Sequence, residues 1–158
     1  MSGILLVRNR QRQIAIDRRL LSRIVRSLLV DDLHREEFEL GIHLVSEPLM
    51  IQMNREHLAH EGCTDVITFD YSEGVRWLGG DIFICVVEAV RQARRYHTTW
   101  QREIVRYVAH GLLHLSGYDD VTRDLRRKMK WEEDRLVALA AERYTLRRLA
   151  LRPERSTA

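Results

Sequence analysis

Several residue types that define other protein classes are scarce in this 158-residue chain. Its two cysteines, Cys63 and Cys85, cannot form a disulfide framework, so a reducing, cytoplasmic location is expected. No apolar run approaches the ~18 residues that a membrane helix needs, and Arg8 interrupts the N-terminus too soon for a signal peptide. With two prolines, eight glycines and no repeat, we expect one domain over residues 1–158.

Lysine is also nearly absent, because Lys128 and Lys130 are the only two among 26 basic residues and the other 24 are arginines. Arginine binds phosphates and carboxylates bidentately, so this bias is compatible with a nucleic-acid partner. A genome with arginine-rich codons would produce the same bias. The formal net charge of +3 does not by itself establish such a partner.

Hydrophobic periodicity predicts an α+β fold in which one small mixed sheet packs against helices. Alternating or β-branched segments predict five strands, over residues 4–7, 13–16, 38–44, 65–71 and 80–87. Helical spacing and capping residues predict five helices. The first begins after Asp17 and the second after Ser46. The third runs from residue 88 to about 96, the fourth from Thr98 or Thr99 to about 117, and the fifth from residue 122 to about 149.

The segment His-Gly-Leu-Leu-His-Leu-Ser-Gly-Tyr-Asp-Asp, residues 110–120, carries the strongest chemical signal. His110 and His114 are four residues apart, so they share a helix face and can bind one metal ion. Gly117 can adopt a positive φ and return the chain toward that ion. A carboxylate at 119 or 120 then completes three ligands, and Asp120 fits the metzincin spacing H-x-x-x-H-x-x-G-x-x-H. The alternative is two ordinary histidines near a helix end.

Three protein ligands leave an open coordination position, which is typical of catalytic metal sites. Two histidines and one carboxylate predict Zn²⁺, or another divalent ion, on a metzincin-like helix. A zinc protease places its general-base glutamate directly after the first histidine, where this chain has Gly111. Peptide hydrolysis by that mechanism is therefore not expected. The same ion can still activate water or stabilise charge on a phosphodiester.

The stretch from residue 110 to 119 resembles the His-Gly-x-Leu-His-Leu-x-Gly-Tyr-Asp signature of the YbeY family of bacterial endoribonucleases. Asn54, the block 64–69 and the block 78–85 are similar to further family segments, as are Glu103, Met129 and Glu132 or Glu133. The resemblance runs in order over about residues 38–137.

The resemblance implies a metal-dependent RNase specific for single strands. It implies a role in ribosomal RNA maturation, notably at the 3′ end of 16S rRNA, and in late ribosome quality control. Single-stranded RNA, the small ribosomal subunit and ribosome-associated factors are the partners that it implies.

One departure from the family concerns the third ligand, which is usually histidine and is Asp120 here. A carboxylate is a competent oxygen ligand, but it makes the site less positive by about one unit. Asp119 matches the family's aspartate, so Asp120 is the preferred ligand and Asp119 the alternative.

A second departure lies four residues after Asn54, where the family places an arginine and this chain has Leu58. An RNase uses such a cation to hold the phosphate or its developing charge. Arg55 is the first candidate to replace it, with His60 and His57 behind it. For each of them, ordinary surface charge is the competing explanation.

Two other functions remain open from the sequence. The chain could be a ribosome-assembly or RNA-binding factor whose metal site is structural or vestigial, which both departures favour. It could also be another metal-dependent hydrolase, although Gly111 argues against a peptidase.

Overall fold

The computed structural model describes residues 3–58, 64–74 and 77–151. Four strands lie within these ranges: β1 (Ile4–Arg10), β2 (Glu37–Val45), β3 (Val66–Asp70) and β4 (Trp77–Cys85). The α-helices there are α1 (Arg18–Ser27), α2 (Glu47–Met53), α3 (Val86–Tyr96), α4 (Trp100–Leu115) and α5 (Arg123–Arg143). Wider π-helical turns continue α1 over Leu28–Asp32 and α2 over Asn54–Leu58, and a 3₁₀ turn spans Leu146–Leu149.

The strands form one mixed sheet in the order β1-β2-β4-β3. β1, β2 and β4 run parallel, and β3 is an antiparallel edge strand paired with β4. This arrangement confirms the predicted α+β class with a small mixed sheet. No helix among the described residues is long and apolar enough to cross a membrane.

Side-chain alternation gives the sheet a buried layer on each face. The larger core lies between the sheet and α1, α4 and α5, and it contains Ile42 and Ile82 from the strands and Val108 and Leu112 from α4. A smaller cluster under α2 contains Val45, Met50, Met53, Ile67 and Cys85. Helix α4 buries residues on most of its circumference, so its C-terminal end is held rigidly by the core.

The predicted strand over residues 13–16 is wrong, because a side chain satisfies the backbone there. The Gln11 carboxamide oxygen accepts the N–H groups of Gln13 and Ile14, each at 3.0 Å, and its Nε2 donates to the Ile14 carbonyl at 2.7 Å. These local bonds replace ladder bonds, and only Ile16 makes an isolated bridge, to Ala150.

The last helix ends at Arg143 and not near residue 149. Beyond it the chain turns so that Leu146 and Leu149 enter the core. The Leu149 carbonyl accepts the Asp17 N–H at 2.8 Å, which ties this segment to the start of α1. Helical periodicity alone cannot show where such a segment leaves the helix axis to reach a core.

The caps of α1 and α4 follow the expected chemistry. The Asp17 carboxylate accepts the Leu20 N–H at 3.0 Å, and the Thr99 hydroxyl accepts the Arg102 N–H at 3.2 Å. Thr99, and not Thr98, is therefore the cap of α4. Ser46 precedes α2 without a side-chain capping bond.

Gly111 lets α4 approach β4 closely. A Cβ atom built at Gly111 would lie 2.5 Å from Ile82 Cδ1 and 2.9 Å from Ile82 Cγ1, closer than van der Waals contact allows. Ile82 is fully buried, so it has little room to move. The position that holds the glutamate of zinc proteases is thus filled by the sheet in this chain.

We expect Gly111→Ala to lower the free energy of unfolding by about 1 kcal/mol, because overpacking costs ~1–3 kcal/mol while helix propensity returns up to ~1 kcal/mol. Denaturant unfolding measures this change. The same substitution in an Ile82→Val background, which lacks the closest methyl group, should cost less. An equal cost in both backgrounds would show that this contact does not set the spacing of α4 and β4.

Candidate metal centre

Helix α4 ends in a hydrogen-bonded turn that directs the following loop back over its last residues. Gly117 has φ +98°. Its N–H donates to the His114 carbonyl at 3.1 Å, and the Tyr118 N–H donates to the Leu113 carbonyl at 3.0 Å. These two bonds form a Schellman motif, in which glycine takes the left-handed position without strain. The turn proposed from the glycine at position 117 is therefore present.

This turn brings together the three residues predicted as metal ligands. One donor atom each from His110, His114 and Asp120 lies within 4.8 Å of the other two. The two Nε2 atoms are 3.1 Å apart. Two nitrogens bound at about 2.0–2.1 Å to one tetrahedral zinc ion would be roughly 3.3 Å apart, so the histidine pair has nearly the separation of two ligands.

Asp119, the alternative third ligand, is used within its own loop. Its Oδ1 atom accepts the Val121 N–H at 3.0 Å. Asp120 is exposed and belongs to the His110–His114 group. The geometry therefore favours Asp120 over Asp119 as the carboxylate that faces the two imidazoles.

Glu133 of α5 orients the first histidine. Its side chain is 9% exposed, and its Oε2 atom lies 2.9 Å from His110 Nδ1. A carboxylate only accepts hydrogen bonds, so Nδ1 carries the proton and donates it. In the neutral imidazole, Nε2 then presents its lone pair toward His114. This carboxylate–histidine pair is the usual outer support of a metal-bound histidine.

The same contacts separate the protonation behaviour of the two histidines. Burial opposes protonation of His110, but the hydrogen bond and charge of Glu133 outweigh it and raise the pKa of His110. Burial, with the nearby His110, lowers the pKa of His114. Burial also opposes ionisation of Glu133, yet the bonds from His110 and Arg106 lower its pKa. Glu133 is thus an ionised acceptor.

Arg106 holds Glu133 from the other side. Its Nη1 atom donates to Glu133 Oε1 at 3.1 Å and to Asp134 Oδ1 at 2.6 Å. Its Nε atom lies 3.9 Å from Glu103, a buried carboxyl group whose pKa is raised by burial. Since Arg106 lies one turn before His110 on α4, it links α4 to α5 and fixes the carboxylate that positions His110.

The predicted phosphate-binding cations are not brought into this group by any contact among the described residues. Arg55 is exposed on the π-helical turn after α2 and makes no ion pair or hydrogen bond with the described residues. His57 packs edge-on against Phe69, with ring centroids 5.6 Å apart. His60, like Cys63, lies outside the described residues, and the side chain of Leu58 is not described.

The donor chemistry of this group fits a divalent metal ion. Two imidazole nitrogens and one carboxylate oxygen suit Zn²⁺, and an oxygen ligand also suits harder divalent ions. The sequence pointed to all three residues through their spacing. It gave Glu133 only as one of two residues similar to the family, and it gave Arg106 no role. Glu133 is 23 residues from His110 and 27 from Arg106, and no local sequence motif spans such separations.

Comparison with known proteins places the chain in a family. The family model described as "Endoribonuclease YbeY" matches residues 6–140. The chain belongs to the YbeY family. A YbeY endoribonuclease from Finegoldia magna is 31% identical over 155 residues, covering 94% of this chain and 95% of the relative. One from Cytophaga hutchinsonii is 42% identical over 101 residues, covering 64% of this chain and 71% of the relative.

A solved structure supports the fold of this YbeY member. The solution structure of TM1509 from Thermotoga maritima aligns with a TM-score of 0.67, covering 98% of this chain and 100% of that chain. The two sequences are 20% identical, so the likeness concerns the fold alone. The resemblance noted in the sequence is thus confirmed at the level of family and fold.

We expect Glu133→Gln to weaken zinc binding by ~10–100-fold, the usual cost of losing an outer partner of a ligand histidine. The amide keeps the size of the side chain but cannot serve as a full carboxylate acceptor for both His110 and Arg106. Competition with a chromogenic chelator measures the affinity. Glu132→Gln is the matched control, since Glu132 pairs with Arg135 and not with the histidines.

The metal-free melting temperature of Glu133→Gln separates positioning from folding. Affinity that is unchanged in Glu133→Gln, or equally reduced in Glu132→Gln, would contradict the positioning role.

Proposed function

We propose that this chain is a metal-dependent endoribonuclease that cleaves single-stranded RNA. The observation that carries the proposal is the convergence of His110, His114 and Asp120 at the end of α4 in a member of the YbeY family. A nuclease of this family requires an RNA substrate. Single domain organisation over residues 1–158 and a cytoplasmic location are part of the same proposal.

In this proposal His110, His114 and Asp120 hold the ion, with Zn²⁺ as first choice. A bound divalent ion supplies Lewis-acid stabilisation of phosphodiester charge and a more acidic water molecule. Glu133 keeps the proton of His110 on Nδ1, so that Nε2 is available as a ligand. No carboxylate follows His110, because Gly111 lies against Ile82. The protein therefore lacks the adjacent general base of a zinc protease, which favours phosphodiester over peptide chemistry.

The proposed cations at the phosphate are Arg55 and, secondarily, His60. Leu58 stands where the family resemblance expects an arginine, so positive charge has to come from neighbouring residues. The guanidinium of Arg55 has no competing partner among the described residues, which leaves it available to a phosphate oxygen.

We expect purified protein to contain about one zinc ion per chain and to cleave a labelled single-stranded RNA, since three protein ligands with an open position describe a catalytic zinc site. A chelator should abolish cleavage and added Zn²⁺ should restore it. Asp120→Ala should reduce the rate by more than ~100-fold, beyond the cost of losing an outer partner. Asp119→Asn, which keeps an oxygen acceptor for Val121, is the control and should retain activity.

Other outcomes of this assay would decide against the proposal. Cleavage that resists both the chelator and Asp120→Ala would contradict the metal site. RNA binding without cleavage would support the assembly-factor function, in which the metal is structural.

The proposed biological substrate is ribosomal RNA, with processing at the 3′ end of 16S rRNA and a role in late ribosome quality control. The small ribosomal subunit and ribosome-associated factors are the proposed partners. Complementation of a bacterial strain lacking its own family enzyme tests this, with unprocessed 16S rRNA as the readout. Comparing Asp120→His with the unaltered chain shows whether the carboxylate is suited to this site.

We expect Arg55→Ala to reduce the cleavage rate by about tenfold, less than the ~10²–10³-fold typical of donors in water-excluded sites, because Arg55 is exposed. Arg55→Lys should retain more activity than Arg55→Ala. Single-turnover kinetics at saturating RNA measures the chemical step apart from binding. Equal rates for Arg55→Ala and the unaltered protein would remove Arg55 from the proposed machinery.

A further inference from the structure

The first turns of α5 project from the protein. Residues 121–128 are all exposed, whereas Met129 and Glu133 further along the helix are buried against the body. This stretch therefore offers most of its circumference to a partner. Helices in proteins are stabilised mostly by packing of one face on the core, and the first turns of α5 have no such buried face. Folding therefore places few demands on which side chains these turns carry.

That composition is strongly basic. Residues 123–131 read Arg-Asp-Leu-Arg-Arg-Lys-Met-Lys-Trp, with five basic residues and one acidic residue, although the whole chain carries only +3. The guanidinium groups of Arg123, Arg126 and Arg127 have no hydrogen bond or ion pair within the described part of the chain. Lys130, by contrast, lies 3.4 Å from Asp134 and 3.9 Å from Glu133. These three arginines thus have no ion-pair partner within the residues that the structure describes.

The stretch adjoins the candidate metal centre. Asp120 precedes Arg123 by three residues, and the loop between them joins the end of α4 to the start of α5. Lys128 Nζ lies 5.8 Å above the Tyr118 ring, which holds the helix start against this loop. A chain bound along the start of α5 would therefore lead to the three predicted ligands.

An exposed indole lies at the end of the basic stretch. Trp131 is 65% exposed. Arg123, Arg127 and Trp131 are spaced i, i+4 and i+8, so they follow one another along a single helix face over about 12 Å. Phosphate-binding cations followed by an open aromatic ring are the combination that binds single-stranded nucleic acid, through backbone charge and base stacking.

We propose that Arg123, Arg126, Arg127, Lys128 and Trp131, the α5 basic surface, bind single-stranded RNA beside the metal centre. The inference rests on the proposed function for the identity of the substrate and adds the surface that holds it. A membrane is the less suitable partner, because the two large apolar residues that α5 itself exposes, Leu125 and Trp131, are six positions apart and do not form one apolar face.

The test compares two triple variants that remove equal charge from exposed helix positions. Arg123→Gln/Arg126→Gln/Arg127→Gln alters the α5 basic surface. Arg18→Gln/Arg19→Gln/Arg23→Gln alters α1, which packs beside β1 at the edge of the sheet opposite β3. Binding of a fluorescein-labelled single-stranded RNA is followed by anisotropy at several salt concentrations, with RNA integrity checked on gels.

We expect the α5 triple variant to bind RNA ~10-fold or more weakly at low salt, and to lower the slope of log K against log salt by about 2, since each single-strand phosphate contact contributes ~0.7. The α1 triple variant should bind nearly as the unaltered protein does. Trp131→Ala should weaken binding by about tenfold and Trp131→Phe by much less, because stacking needs only an aromatic ring. Circular dichroism verifies that each variant is folded.

Equal losses in the two triple variants would show a general charge effect and overturn the inference, as would unchanged binding in the α5 triple variant. Preferential loss of binding to anionic vesicles, with RNA binding intact, would also overturn it. If the unaltered protein binds RNA through the α5 basic surface but never cleaves it, this inference stands and the proposed nuclease function fails. If the unaltered protein cleaves RNA while the α5 triple variant binds RNA normally, the proposed nuclease function stands and this inference fails.

Discussion

The close contact of α4 with β4 determines where the helix that carries His110 and His114 lies. Because Gly111 has no side chain, the helix backbone rests on Ile82, and the buried residues before it fix the helix along its length. His110 is adjacent to this contact and His114 follows one turn later. Backbone packing therefore sets the position of the two histidines. The contact also explains why a general-base glutamate is excluded from this helix.

Polar bonds then add the orientation that packing cannot. Glu133 accepts the Nδ1 proton of His110, and Arg106 binds Glu133, so one partly buried ion pair across two helices determines which nitrogen of His110 faces His114. Removing a single member of such a network leaves a buried charge without its partner, which is costly. The network thus fixes the orientation of the His110 ring, and it forms only where α5 packs on α4.

These two layers explain what could be predicted from the sequence. The three predicted ligands lie within eleven residues, so helical spacing and one glycine were enough to identify His110, His114 and Asp120 as a group. The role of Glu133 depends on tertiary packing, which spacing does not encode. The prediction of a strand at residues 13–16 was wrong because the Gln11 side chain bonds to the backbone there. The last helix was predicted too long because Leu146 and Leu149 leave its axis and enter the core.

The many arginines of the chain fall into two groups, those with an acidic partner and those without one among the described residues. Arg106, Arg135 and Arg143 bind Glu133, Glu132 and Asp32 respectively, so their charge is used within the fold. The arginines at the start of α5 have no such partner among the described residues, although Asp134 and Glu133 lie further along the same helix. Counting arginines cannot distinguish these groups, because both contribute equally to net charge. Only the location of the acidic partners shows which cations remain available to a phosphate backbone. Among the cations without an ion pair in the described residues, the arginines at the start of α5 lie next to the loop that carries Asp120.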